Sequence, residues 1–293
     1  MKRAIAALVP MALSVFSQIA PAQPAAVVEG VQMPAWIERR IGNVSERKPL
    51  AVGMELGSGD AVKTGAAARA LVKLSEGSLV KLGENGSLLL SEINPDGGGF
   101  FKAALRVAEG AFRFTTDALA KTRRRDVSIR VATVTAGIRG TDLWGKSTAD
   151  RQVVCLIEGA IEVGAEGEKP VLMNQPRQFY RREKGQTQPV GLVEPAQLGQ
   201  WARETDIEAG KGAVRRGGKW RVTLASADTQ GAALALYDRL RDNGYAAEIR
   251  PATVGGRLVY RVRIANLPSR EEAEALAAKL RGAHGIVEPR IST

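Results

Sequence analysis

Between residues 51 and 190 the chain is cut by glycine into runs too short for helices, and this punctuation restricts it to a fold of short strands. Leu71-Val72-Lys73-Leu74 meets Ser75-Glu76-Gly77, Ser78-Leu79-Val80-Lys81-Leu82 meets Gly83-Glu84-Asn85-Gly86, and another apolar run follows at 87–90. Each run has strand length, and each break carries Gly or Asn, which tolerate positive φ. The pattern resumes at 105–108, 111–115, 127–134, 153–157, 160–163 and 171–173. A Glu-Gly step recurs at 76, 109 and 158 between apolar runs and predicts a tight hairpin at each. The 32 glycines and 5% aromatics suit small cores and many turns. An all-β domain of stacked strands and hairpins is expected over 51–180, with an N-terminal segment, 23–50, before it.

Periodicity fades over 181–217, where Gln, Gly, Pro and charge accumulate. This stretch reads as a linker with a short helix around 196–205. Within it, 210–218, with Lys211, Arg215 and Arg216, reads as flexible and basic. The texture then changes to strand, helix, strand, strand, helix, strand. Residues 230–242 place Ala233, Leu236, Tyr237 and Leu240 on one helical face, with Gly244 as the stop. Runs at 245–250 and 258–264 are joined across Gly255-Gly256. Ser269 with Glu272 forms a capping box for a second helix, whose apolar face is Ala273, Leu276, Ala277 and Leu280. This order predicts an α+β, ferredoxin-like βαββαβ domain over 218–293, with both helices on one face of a four-stranded antiparallel sheet and the other face open.

At the N-terminus, Lys2 and Arg3 precede an apolar run over 4–20, and Ala20-Pro21-Ala22 supplies small residues at a cleavage site. A secretory signal peptide over 1–22 is expected, since the run is short for a membrane anchor and contains Pro10. No later segment is a long uninterrupted apolar stretch, so no transmembrane segment is expected in the mature chain. The net charge of +11 is spread along the sequence and forms no polycationic arm, which argues against nucleic acid as the partner. The basic loop over 121–125 reads chiefly as a solvated charge run. Cys155, the single cysteine, lies among Val153, Val154, Leu156 and Ile157 and reads as a buried hydrophobe.

Two families are carried by quotable blocks. Trp220-Arg221-Val222-Thr223-Leu224-Ala225-Ser226, Leu258-Val259-Tyr260-Arg261-Val262-Arg263-Ile264 and Pro268-Ser269-Arg270-Glu271-Glu272-Ala273 resemble a SPOR domain. Val52-Gly53, Gly59-Asp60-Ala61-Val62-Lys63-Thr64-Gly65, Ala70 to Ser78, Thr133 to Asp142 and Glu158-Gly159-Ala160-Ile161-Glu162-Val163 resemble a FecR-like domain. The SPOR resemblance implies binding to peptidoglycan glycan strands stripped of their stem peptides. FecR-like proteins include transducers of envelope signals to a sigma factor, a role that needs a cytoplasmic segment this sequence does not display.

Strand alternation places Trp220, Val222 and Leu224 with Leu258, Tyr260, Val262 and Ile264 toward the helices, so Trp220 and Tyr260 read as core. Arg221, Thr223, Val259, Arg261 and Arg263 then lie on the open side. With Ser226 they form the expected glycan-binding set, because guanidinium and hydroxyl groups can bond sugar hydroxyls, acetamido carbonyls and muramic carboxylates. Alternation alone fits solvated charges on an open sheet equally well. In the FecR-like region Gly59, Gly65, Gly77 and Gly159 read as turn positions. Asp60 is expected to accept from turn amides beside Thr64, and Arg139 to pair with Asp142 around Gly140 and Thr141.

Two Ser-x-x-Lys matches, Ser45 to Lys48 and Ser78 to Lys81, raise serine hydrolase chemistry, which requires both side chains on one face of a helix. Ser78 and Lys81 fall in a strand on opposite faces. With one histidine, His284, and one cysteine, no metal site or cofactor is expected. The sequence therefore points to a non-catalytic periplasmic protein, with a septal position as a further expectation. Its SPOR-like part would bind the wall while its FecR-like part meets an envelope protein or ligand. The alternative is an envelope sensor for which the SPOR-like part is only a tether.

Overall fold

The computed structural model describes residues 24–97, 100–116, 124–138 and 140–293. The leader expected over 1–22, part of the basic loop and Arg139 lie outside the described residues.

Strand Phe100–Thr115 organises the β architecture because its two halves belong to different layers. Its first half pairs with Ser87–Gly97 and, in parallel, with Arg124–Val131. Its second half pairs with Leu79–Leu82 and Asp142–Ser147. The change of layer falls near Gly110, where φ is +88° and a side-chain carbon would stand 2.5 Å from the Cα of Gly86. Only glycine offers both that conformation and that clearance.

One layer continues outward through Arg69–Leu74 to Ala26–Gln32 on one side, and through Arg151–Glu158, Gln178–Glu183 and Gln186–Leu192 on the other. The second runs through Ala61–Thr64, Ala35–Ile41 and Val44–Pro49 on one side, and Val134–Ile138, Ile161–Ala165 and Val171–Met173 on the other. Inward residues of both layers, among them Val72, Phe112, Phe114, Val62, Leu105 and Ile129, share one core. Burial of such side chains stabilises by about 1.5–3 kcal/mol each.

Two expectations change here. Of the three Glu-Gly steps, Glu76-Gly77 turns a hairpin, between Arg69–Leu74 and Leu79–Leu82. Glu109-Gly110 lies inside the long strand, and Glu158-Gly159 is where the chain leaves Arg151–Glu158 for Ile161–Ala165 in the other layer. A positive-φ step serves a layer crossing as well as a hairpin, so the dipeptide alone does not separate them. The segment over 23–50 is not a preface to the β domain. Ala26–Gln32 pairs with Arg69–Leu74 and Ala35–Ile41 with Ala61–Thr64.

Helix Pro195–Arg203 covers part of the outer face of the first layer. Trp201 stacks on Trp144 with ring centroids 4.6 Å apart, and Phe179 meets it edge-on. Beneath lie Ala111, Val153 and Cys155. Burial pushes the Cys155 thiol up to about 12.

The C-terminal sheet runs, edge to edge, Glu248–Val254, Arg257–Leu267, Trp220–Ala227, Arg290–Ser292, every pair antiparallel. Helices Gln230–Asp242 and Arg270–Leu280 place Ala233, Leu236 and Leu240, and Ala273, Leu276 and Leu280, in a core with Val222, Val262 and Ile264. Thr229 and Ser269 cap them, each hydroxyl accepting from the amide three residues on.

Residues 210–218 are held in place rather than flexible. The buried Glu272 carboxylate accepts from the amides of Gly210, Gly212 and Ala213 at 2.7, 2.7 and 2.9 Å. It thus reaches back to the linker, where a capping box would have turned it to Ser269. Val214–Arg215 then adds to Ala26–Gln32. The two parts also meet directly: Lys279 Nζ donates to the Met33 carbonyl at 2.7 Å, and the Ala35 amide donates to the Gly244 carbonyl at 3.1 Å.

Two outcomes test this packing. Cys155 stays unreactive toward a thiol-disulfide reagent at pH 8 in the native protein and reacts once denaturant unfolds it, as absorbance of the released thiolate would show. Glu272→Ala leaves three amides without their acceptor and costs about 2–4 kcal/mol. Denaturant titration would measure that loss, and limited trypsin digestion should show new cleavage after Lys211.

Candidate functional site

The uncovered face of the C-terminal sheet is read from its registers, since residues directly opposite one another in an antiparallel pair share a face. Thr223 lies opposite Arg263 on one side and Arg290 on the other, and Ser226 opposite Arg261. Arg261 lies opposite Arg250, and Arg263 opposite Glu248. Arg221 stands opposite Ser292. Five arginines, Arg221, Arg250, Arg261, Arg263 and Arg290, therefore share this face with one carboxylate, Glu248.

Simple alternation would put Ser226 on the same side as the buried Val222 and Leu224. A bulge between Thr223 and Ala225 shifts the phase, so that Ala225 and Ala227 pack on the core and Ser226 emerges on the open side. Val259 is 9% exposed opposite Ala252 and offers no polar group, so it belongs to the floor of the face. Leu258, expected toward the helices, is exposed because it pairs with Thr253 next to the 255–256 turn, at the far end of the hairpin.

The arginines differ in how they are held. Glu248 accepts from Arg263 Nε at 2.8 Å and from Arg250 Nε at 2.9 Å. Partial burial opposes ionisation of this carboxyl, but the hydrogen bonds and charges of Arg250 and Arg263 outweigh it and hold it below the usual carboxylate range. Arg221 and Arg261 have no ion-pair partner among the described residues. A concavity of about 500 Å³ at one end of the face is lined by Lys219, Arg221, Arg263, Asn266 and Thr293. Glu248, Arg250 and Arg290 were not singled out from sequence, although Glu248 and Arg250 flank Ile249 in the alternation of a recognised strand.

In the β domain the motif residues hold turns. Gly59, Gly77, Gly140 and Gly159 take positive φ, and Gly65 sits against Pro34. Asp60 accepts from the Gly57 amide at 2.8 Å and takes two bonds from Arg39 at 2.7 and 2.6 Å. Thr64 Oγ1 donates to the Gly83 carbonyl and accepts from the Gly86 amide. Thr141 is buried beside Thr116, whose hydroxyl accepts from its amide. Asp142, expected to pair with Arg139, is taken by Arg113 through bonds of 2.9 and 2.6 Å. The reason is register: Asp142 faces Thr115 across the strands, next to Arg113. Lys81 bonds Asp206 at 2.6 Å and not Ser78, and Lys48 pairs with Glu46.

Fold and face together define a two-part protein: a double-layered β domain, followed by an α+β domain that presents an open, arginine-rich sheet. Comparison with protein families matches residues 60–162 to the FecR protein family and residues 217–288 to the SPOR domain. The chain thus carries a FecR domain followed by a SPOR domain. Two crystal structures of a candidate anti-sigma factor from Parabacteroides distasonis, at 1.65 and 2.50 Å resolution, align at 14% and 13% identity, each over 75% of this chain and 89% of that one, with a TM-score of 0.39. A search of curated proteins found no match.

Asp60→Ala removes the acceptor of both the turn amide and Arg39 and should cost about 1–3 kcal/mol. Thermal unfolding measures it, and an unchanged melting temperature would count against Asp60 as a turn anchor.

Proposed function

We propose that this protein is an exported, non-catalytic envelope protein that binds peptidoglycan glycan strands stripped of their stem peptides through the open face of its SPOR domain. In the same reading, its FecR domain is presented to an envelope protein or ligand. The SPOR match supports peptidoglycan as the partner. The observation that carries the finer reading is the pair Arg221 and Arg261, cations on an open sheet with no ion-pair partner among the described residues. The strand order, with the first and third strands central, supports reading this domain as ferredoxin-like.

The chemistry follows from the side chains. A guanidinium presents a planar fork of donors to a carboxylate or to paired hydroxyls, and Thr223 and Ser226 can both donate and accept. Removal of the stem peptide leaves a free carboxylate on each muramic residue and clears the bulk that would keep the strand off a flat sheet. A periplasmic and septal position is part of this proposal. Among the described residues no helix is long and apolar enough to cross a membrane.

Co-sedimentation of the purified protein with sacculi tests the proposal. Binding should rise after amidase treatment of the wall, and Arg261→Ala should weaken it about tenfold, as expected for loss of a charge-assisted hydrogen bond of roughly 1.5 kcal/mol. Failure to pellet even with amidase-treated sacculi would sink the proposal.

A further inference from the structure

Among the described residues in register on the open face, Glu248 is the one carboxylate, and it is placed where a ligand carboxylate would be expected. Its two oxygens take one arginine each: Oε1 lies 2.8 Å from Arg263 Nε, and Oε2 lies 2.8 Å from the Arg250 terminal nitrogen. Arg263 is the more buried of these arginines, with its side chain 21% exposed, so its donors are directed by the sheet rather than by solvent. Glu248 itself remains 33% exposed. It can turn outward without becoming a buried unpaired charge. It also borders the cleft of about 700 Å³ between the two domains, whose walls carry Arg47, Lys48 and Arg241 together with Glu46 and Asp242.

We infer that Glu248 is an internal competitor on the binding face, a carboxylate that occupies Arg263 and Arg250 until a carboxylate of a bound polysaccharide displaces it. The inference rests on the glycan-binding reading and adds a specificity-determining residue to it. Because a neutral sugar hydroxyl is a weaker acceptor than a carboxylate, exchange is favoured for a strand that carries free carboxylates. Glu248 thus raises the threshold against neutral polysaccharide. It is a positioning and specificity residue that need not touch the ligand.

The test uses the whole protein and amidase-treated sacculi, native or with their carboxyl groups amidated by carbodiimide. Glu248→Gln keeps the shape and removes the competing charge. It should bind native denuded sacculi about two- to fivefold more tightly, the scale of one partly exposed ion pair. It should also lose part of the wild-type preference for native over amidated wall. Glu274→Gln makes the same change in net charge on the helix-covered side, where Glu274 pairs with Arg270, and should leave both quantities unchanged. Equal gains from both variants, or no gain from Glu248→Gln while wild type binds, would overturn the inference. Absence of binding by every variant would overturn the glycan-binding reading as well.

Discussion

The Glu272 carboxylate is the contact on which the relation between the two domains depends. It sits in the first turn of helix Arg270–Leu280, where a negative charge is favoured by the unpaired amides and the dipole of the helix. Its oxygens are nevertheless directed outward, to three amides some 60 residues earlier in the chain. Those amides would otherwise be buried without acceptors, so a single side chain satisfies the linker and neutralises a helix end. With residues 210–213 fixed, Val214–Arg215 is delivered to the edge of Ala26–Gln32. The contacts of Lys279 with Met33 and of Gly244 with Ala35 and Trp36 close the other side of the junction.

This junction uses the helices and one end of the C-terminal sheet, and it leaves the arginine face uncovered. The consequence lies at the level of function. If the face binds the wall as proposed, its fixed orientation relative to the FecR domain would hold that domain in a defined attitude to the wall, whereas a flexible tether would let it turn freely. The tight approach at Gly244 shows how little slack there is, since a side-chain carbon there would stand 2.7 Å from the Trp36 ring.

Strands were legible in the sequence wherever alternation and glycine agreed, and the C-terminal helices were legible through the stop at Gly244 and the cap at Ser269. What was hidden depends on contacts distant in sequence. Gly210 and Gly212 read as signs of flexibility, yet they take φ of +71° and +77° in a fixed turn, and a side chain at Gly212 would collide with Leu276. Composition does not distinguish a loose glycine from a tightly turned one. Asp142 reads from sequence as a partner for the nearby Arg139, whereas its register sets it opposite Thr115, on the same side as Arg113, which bonds it. Ser226 reaches the open face only because a bulge at Leu224 breaks the two-residue period, and no feature of Leu224 itself announces the bulge.

The arginine face also has an internal electrostatic logic. Arg261 lies between Arg250 and Ser226 across neighbouring strands, so like charges stand side by side, an arrangement that destabilises a sheet when left uncompensated. Glu248 relieves this at one end by bridging Arg250 and Arg263, while Arg221 and Arg261 are left to solvent. The fold therefore tolerates a partly neutralised surface. An anionic polymer lying along it would supply the remaining counter-charge, and in the proposed binding the cost of keeping the arginines together in the free protein would then become part of the driving force.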